Sequence, residues 1–149
     1  MVGGDFSKSV LVYNLETHKL KNAAKLNEAR VASSSTIAGE TLYVFGGVGS
    51  NGRLDTIEAL DVSSPSSEWE IIRSKNFTAR RYAVVYSLTV DRILICGGEG
   101  DDFDYLNDVL VFDTKTKMAK KVADAPVYFH NRGNNQTYIE RYGVVVALV

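Results

Sequence analysis

An apolar strand closed by two glycines occurs twice in this chain at a fixed interval. Thr41-Leu42-Tyr43-Val44-Phe45-Gly46-Gly47 returns 51 residues later as Arg92-Ile93-Leu94-Ile95-Cys96-Gly97-Gly98. Arg30, Arg81 and Arg132 keep the same step, each 16 residues ahead of the corresponding strand end. A period near 50 with four short strands per unit is the pattern of propeller blades. The expected fold is all-β, with blades of four antiparallel strands in an incomplete ring.

The second unit shows the plan. Val31 to Ala38 reads as an innermost strand, Gly39-Glu40 as a two-residue turn, and Thr41 to Phe45 as the second strand. A polar loop from Val48 to Arg53 comes after the glycines. A third strand is expected around Thr56 to Val62, a turn at Ser63-Ser64-Pro65-Ser66-Ser67, and an outer strand from Trp69 to Ser74. The next unit repeats the order with strands at Tyr82–Leu88, Arg92–Cys96, Asp108–Phe112 and Met118–Val122. The resulting divisions are 1–29 for the end of a blade, 30–80 and 81–131 for two blades, and 132–149 for the start of another. Lys19 to Ala29 has helix-forming composition, but its equivalence with the two outer segments assigns it to strand. Lys19, Lys21, Lys25, Lys117, Lys120 and Lys121 lie on these outer segments, where lysine blocks edge-to-edge pairing.

These residues resemble the kelch repeat family. Tyr43-Val44-Phe45-Gly46-Gly47 matches its aromatic-apolar strand and double glycine. Leu60-Asp61 and Trp69 match its third-strand Asp and fourth-strand Trp. Val111-Phe112-Asp113 and Val12-Tyr13-Asn14 occupy the same third-strand place in neighbouring units. Leu20 and Ala119 stand where the Trp belongs, and Leu148-Val149 stands where a Gly-Gly pair is due. Gly46, Gly47, Gly97, Gly98 and Trp69 are expected to be structural: the glycines allow a sharp bend, and the indole fills the gap between blades.

Met1-Val2-Gly3-Gly4 aligns with the end of a second strand, and the chain stops at another. Closed propellers need about four to eight blades, so the span reads as a fragment of a larger ring with Met1 an internal methionine. The alternative is two chains closing a six-bladed ring. An open face of about 400 Å² would be worth roughly 10 kcal/mol if covered, so self-association through the open blade faces is expected.

Composition narrows the function. The chain has 17 basic and 18 acidic residues, a net charge of −1, and no basic stripe of the kind nucleic acid or an anionic membrane requires. Its longest apolar run, Val144 to Val149, is too short to span a bilayer. A lone cysteine and the lack of a visible signal segment point to the cytoplasm. On that reading the sequons Asn76-Phe77-Thr78 and Asn135-Gln136-Thr137 are incidental.

Several motifs invite chemistry and do not complete it. Gly47-Val48-Gly49-Ser50-Asn51-Gly52 spells a dinucleotide-binding turn after a strand, but the next segment, Leu54 to Val62, reads as strand rather than helix. Asp101, Asp102 and Asp104 lack the spacing and distal Glu of a calcium loop. His18 and His130 fall in different loops, and Cys96 sits on a buried-looking strand, so neither catalytic residues, cofactor nor metal ligands are expected. The loops after the glycine pairs and between blades share one face. There Asn51, Arg53, Asp102, Phe103 and Tyr105 join Arg30, Arg80, Arg81, His130 and Arg132 as candidate partner-binding residues. The kelch resemblance implies a protein–protein interaction module. The competing reading is a fragment of a propeller enzyme, of oxidase or sugar-modifying type, whose catalytic residues lie in other blades.

Overall fold

In the computed structural model the described residues are 6–126, with backbone alone for Phe103, 128–131 and 137–140. Met1 to Gly4, Arg132, Asn135 and the Leu148-Val149 end lie outside them. The chain is all-β. A two-stranded sheet, β1 (Leu11–Asn14) and β2 (Lys19–Asn22), comes first. The first complete blade runs β3 (Ser34–Ala38), β4 (Thr41–Phe45), β7 (Thr56–Asp61) and β8 (Glu70–Arg73), all antiparallel. Between β4 and β7 a small hairpin, β5 (Val48–Gly49) with β6 (Gly52–Arg53), stands off the sheet. The second blade runs β9 (Val84–Thr89), β10 (Arg92–Cys96), β11 (Asp108–Asp113) and β12 (Met118–Asp124). A hairpin of β13 (Tyr128–Asn131) and β14 (Thr137–Glu140) comes last. The segment 19–29 contains strand, β2, and no helix.

Alternation along the strands of each complete blade divides the side chains between two faces, each with its own packed cluster. Tyr43, Phe45, Ile57, Ala59 and Ile72 point toward the second blade, where Ile93, Ile95, Leu110 and Phe112 meet them. Phe112 packs edge-on against Tyr43 and Phe45, with ring centroids 5.9 and 5.7 Å away. Leu42, Val44, Leu60 and Trp69 point the other way, toward Val10, Ala23 and Leu26 beside the β1–β2 sheet. Cys96, Leu94 and Val109 form the opposite face of the second blade, packed on Ala125.

The seam also explains how Ala119 can stand where Trp69 does. Strand register pairs Phe112 with Ala119, and Trp69 takes the same place beside Leu60. One blade therefore puts its bulk on the fourth strand and the other on the third, Leu60 with Trp69 against Phe112 with Ala119. Both seams keep the same clamp from the linker: Asn27 Nδ2 donates to the Trp69 carbonyl at 2.7 Å, and Asn76 Nδ2 to the Ala119 carbonyl at 3.0 Å. The Trp69 indole N–H donates to the Ala24 carbonyl at 2.8 Å, which satisfies its one polar atom.

The acidic or amide residue ending each third strand is a turn former. Asn14 Oδ1 accepts from the backbone N–H of Glu16 and Thr17 and from the Thr17 hydroxyl. Asp113 does the same for Lys115 and Thr116. The residue closing each turn is left-handed, His18 at φ 53° and Lys117 at φ 58°. Each turn is a four-residue hairpin loop, closed by the pairs Asn14–Lys19 and Asp113–Met118. The Lys117 ammonium also pairs with Glu70 of the preceding blade.

The glycine pairs occupy equivalent places after β4 and β10. Gly46 and Gly47 have φ of 56° and 98°, and Gly97 and Gly98 have 57° and 100°. A Cβ on Gly46 would lie 2.2 Å from the Arg80 carbonyl oxygen, in the entry to the next blade. Gly46→Ala should therefore lower the unfolding free energy by about 3 kcal/mol or more, combining a left-handed backbone with a clash against main chain. Gly52, at φ 118°, has no atom within 4 Å of such a Cβ. Gly52→Ala should cost about 1 kcal/mol, from backbone conformation alone. Urea melts of the two variants check the contrast, and equal losses would show that close approach plays no part.

Candidate functional site

The arginines ahead of each blade enter the structure as anchors. Arg30 is wholly buried, and its guanidinium donates to the Gly46 carbonyl at 2.8 Å and to Glu58 at 2.6 Å. Thr56 and Glu28 complete its surroundings. In the next blade the same work falls to Arg80, which donates to the Gly97 carbonyl at 2.9 Å and grips both carboxylate oxygens of Asp108 at 2.7 and 2.8 Å. Thr78 takes the place of Glu28.

This corrects the equivalence drawn from the sequence. Arg81 keeps the 51-residue step from Arg30, yet Arg80 is its structural counterpart. The reason lies in β9, which is one residue longer than β3. The pairing of β9 with β10 shifts at Arg92, from Thr89 to Ser87, and Leu88 is the bulged extra residue. Arg30 and Arg80 also leave the set of side chains that can meet a partner, because each is buried and holds its own glycine carbonyl.

Arg81 does something different. Its guanidinium donates to Glu99 at 3.0 and 2.6 Å and lies 5.0 Å over the Tyr82 ring. Arg53, at the end of the β5–β6 hairpin of the preceding blade, donates to the same Glu99 oxygen at 2.6 Å. The Glu99 side chain is 4% exposed, against 14% for Arg53 and 25% for Arg81. Burial pushes the Glu99 carboxyl up, but hydrogen bonds and charge from Arg81 and Arg53 outweigh it, and the group sits below the ordinary carboxylate range. Two sequence candidates, Arg53 and Arg81, are thus brought together by a third residue that sequence reasoning missed. An acid in a loop after Gly-Gly carries no signal of its own; only its place across from an arginine 46 residues away reveals it.

The remaining candidates surround this seam. Asn51 is exposed at the tip of the β5–β6 hairpin. Residues 47–52 thus form a strand, a turn and a strand, with no helix behind the glycines to face a pyrophosphate. Asp101 to Phe103 make a single 3-10 turn in which Asp102 is exposed and left-handed at φ 56°. Tyr105 is half-buried, its backbone bridged to Glu99. His130, expected in a loop, lies in β13 opposite Tyr138, since Tyr128 and Phe129 are strand formers with a partner strand nearby. Among the described residues no three His, Cys, Asp or Glu side chains are grouped as metal ligands would be. No described helix is long and apolar enough to cross a membrane. The Asn76 amide of the first sequon is engaged with Ala119, and Phe77 beside it is buried.

Two adjacent four-stranded antiparallel blades, each with its glycine pair and buried arginine, define the chain as a propeller-type repeat scaffold. The Kelch motif family model matches residues 29–76, the stretch from the residue before Arg30 to the end of the first complete blade. The matched stretch is similar to a kelch repeat, and the second blade is built to the same plan. No curated protein matches the chain.

Two measurements test this site. Arg30→Met would strand the buried Glu58 carboxylate and should cost about 3–5 kcal/mol in a denaturant melt. Adding Glu58→Gln removes the stranded charge and keeps one acceptor for one of the two backbone amides, Asn27 or Glu28, that the carboxylate holds, so part of the loss should return. Cys96 should behave as an inert thiol. Burial, then the nearby Asp108 charge, pushes it up to about 11. Iodoacetamide should label it only on unfolding, and fast labelling of the native chain would contradict its place in the core.

Proposed function

We propose that this protein is a non-catalytic protein–protein interaction module of the cytoplasm, binding its partner through the loops on the Glu99 face. One observation supports this most: the polar side chains at the seam of the two blades are organised on a rigid frame. The β5–β6 hairpin, the 98–106 loop and the entry around Arg81 are joined by hydrogen bonds through Glu99 rather than left to solvent. Loops held on a stiff scaffold are where recognition concentrates. Preformed surfaces also lose less entropy on binding. Asn51 and Asp102 supply exposed polar groups, with Arg53, Arg81 and Tyr105 beneath them.

The kelch match supports a repeat scaffold of a kind commonly used for binding. The exposed lysines of β2 and β12 mark the outer edge of the sheets as solvent-facing. The test is a paired comparison in cells. Proteins retained by the wild-type chain should be lost from the Asn51→Glu/Asp102→Lys variant and kept by the Lys19→Glu/Lys21→Glu variant. Retention of the same set by all three would place the binding surface elsewhere.

A further inference from the structure

We propose that Glu99 is a positioning residue that locks the β5–β6 hairpin of one blade to the 98–106 loop of the next, so that two loops form one recognition surface. Its use in recognition rests on the reading given above; the lock itself rests on geometry alone.

The repeat supplies an internal control. Backbone bridges join Val31 to Val48 in the first complete blade and Arg81 to Glu99 in the second. Val48 pairs onward with Arg53, as Glu99 pairs with Tyr105. Val31 and Val48 therefore stand in the first blade where Arg81 and Glu99 stand in the second. The fold is satisfied by two valines at this place, so the charged trio is an addition to the scaffold and not a requirement of it. A carboxylate taken out of water costs several kcal/mol unless paired. Here one carboxylate oxygen receives Arg53 from the preceding blade and Arg81 from its own, each at 2.6 Å. Few arrangements tie two loops together so directly. Once Glu99 is in place, Arg53 cannot swing away with its hairpin without leaving that carboxylate half-paired.

Each loop carries its own reporters. The amides of Val48 and Leu54 donate to Val31 and Gly47 at the base of the hairpin. Those of Gly100 and Leu106 donate to Asp104 and Gly98 in the other loop. In Glu99→Gln, hydrogen exchange at all four should quicken together by about tenfold, while Ile93 and Ile95 in β10 stay protected. Quickening confined to Gly100 and Leu106 would overturn the lock. If β10 also loses protection, Arg53→Gln decides, since it leaves the Arg81–Glu99 pair in place. It should loosen Gly100 and Leu106 as well as its own hairpin, and an effect confined to the hairpin would overturn the proposal.

Acid gives a readout that a merely space-filling residue would not move. The charged groups facing Glu99 are Arg53 and Arg81, with Asp101 3.8 Å from Arg53 and Tyr105 joined through its backbone. The arginines keep their charge, and a carboxylate held low stabilises above its ordinary range and stops doing so as pH falls through its folded value. The wild-type loops should therefore loosen in one shared transition below the ordinary carboxylate range. That transition should vanish in Glu99→Gln. Its persistence there would reject Glu99 as the lock.

Discussion

A guanidinium buried against a glycine carbonyl is the contact on which each blade turns. Arg30 holds the Gly46 carbonyl from one side, and the Gly47 N–H reaches out on the other to the Arg80 carbonyl at 2.8 Å. Arg80 then holds Gly97 by its side chain. The same residue thus serves its neighbour through its backbone and its own blade through its side chain. A buried charge is an expensive way to make such a link. It is tolerated because every blade supplies a counter-charge on its third strand, Glu58 in one and Asp108 in the other. The two acids are not equivalent positions, since Asp108 matches Thr56, whose carbonyl likewise accepts from the first glycine of the pair. The arginine is fixed by the backbone, and the sequence has found two ways to neutralise it.

The seams show a similar freedom within a fixed frame. Trp69 and Ala119 take the same register, and Leu60 and Phe112 compensate beside them. What is conserved between the two units is filled volume and the asparagine clamp onto the strand carbonyl. Packing density constrains the sum of side chains in a seam more tightly than any one of them.

Much of the fold was legible because glycine pairs punctuate it. β4 and β10 begin and end at the residues the sequence indicated, Thr41–Phe45 and Arg92–Cys96. The helix-like composition of Lys19 to Ala29 yielded to strand pairing of its first four residues with β1, a case of tertiary context overriding weak propensity. The inner strands began later than expected, at Ser34 and Val84, because Ala32 and Tyr82 ahead of them adopt left-handed backbone. The site was less legible. A bulge at Leu88 displaced the arginine register by one, so a regular spacing pointed to Arg81 when the buried anchor was Arg80. Glu99 was invisible because its meaning lies in two arginines distant in sequence, Arg81 of its own blade and Arg53 of the preceding one.

The hydrogen bond from Gly47 to the Arg80 carbonyl has a thermodynamic consequence of its own. In linear arrays of repeats, stability divides into what each unit contributes and what each junction contributes. A junction that engages the glycine turn of one unit and the anchoring residue of the next weights the second share heavily. Such an array gains little by opening one unit alone, because opening it breaks the turn geometry of the unit beside it. These two blades are in that sense a single cooperative domain in which the chain merely repeats itself.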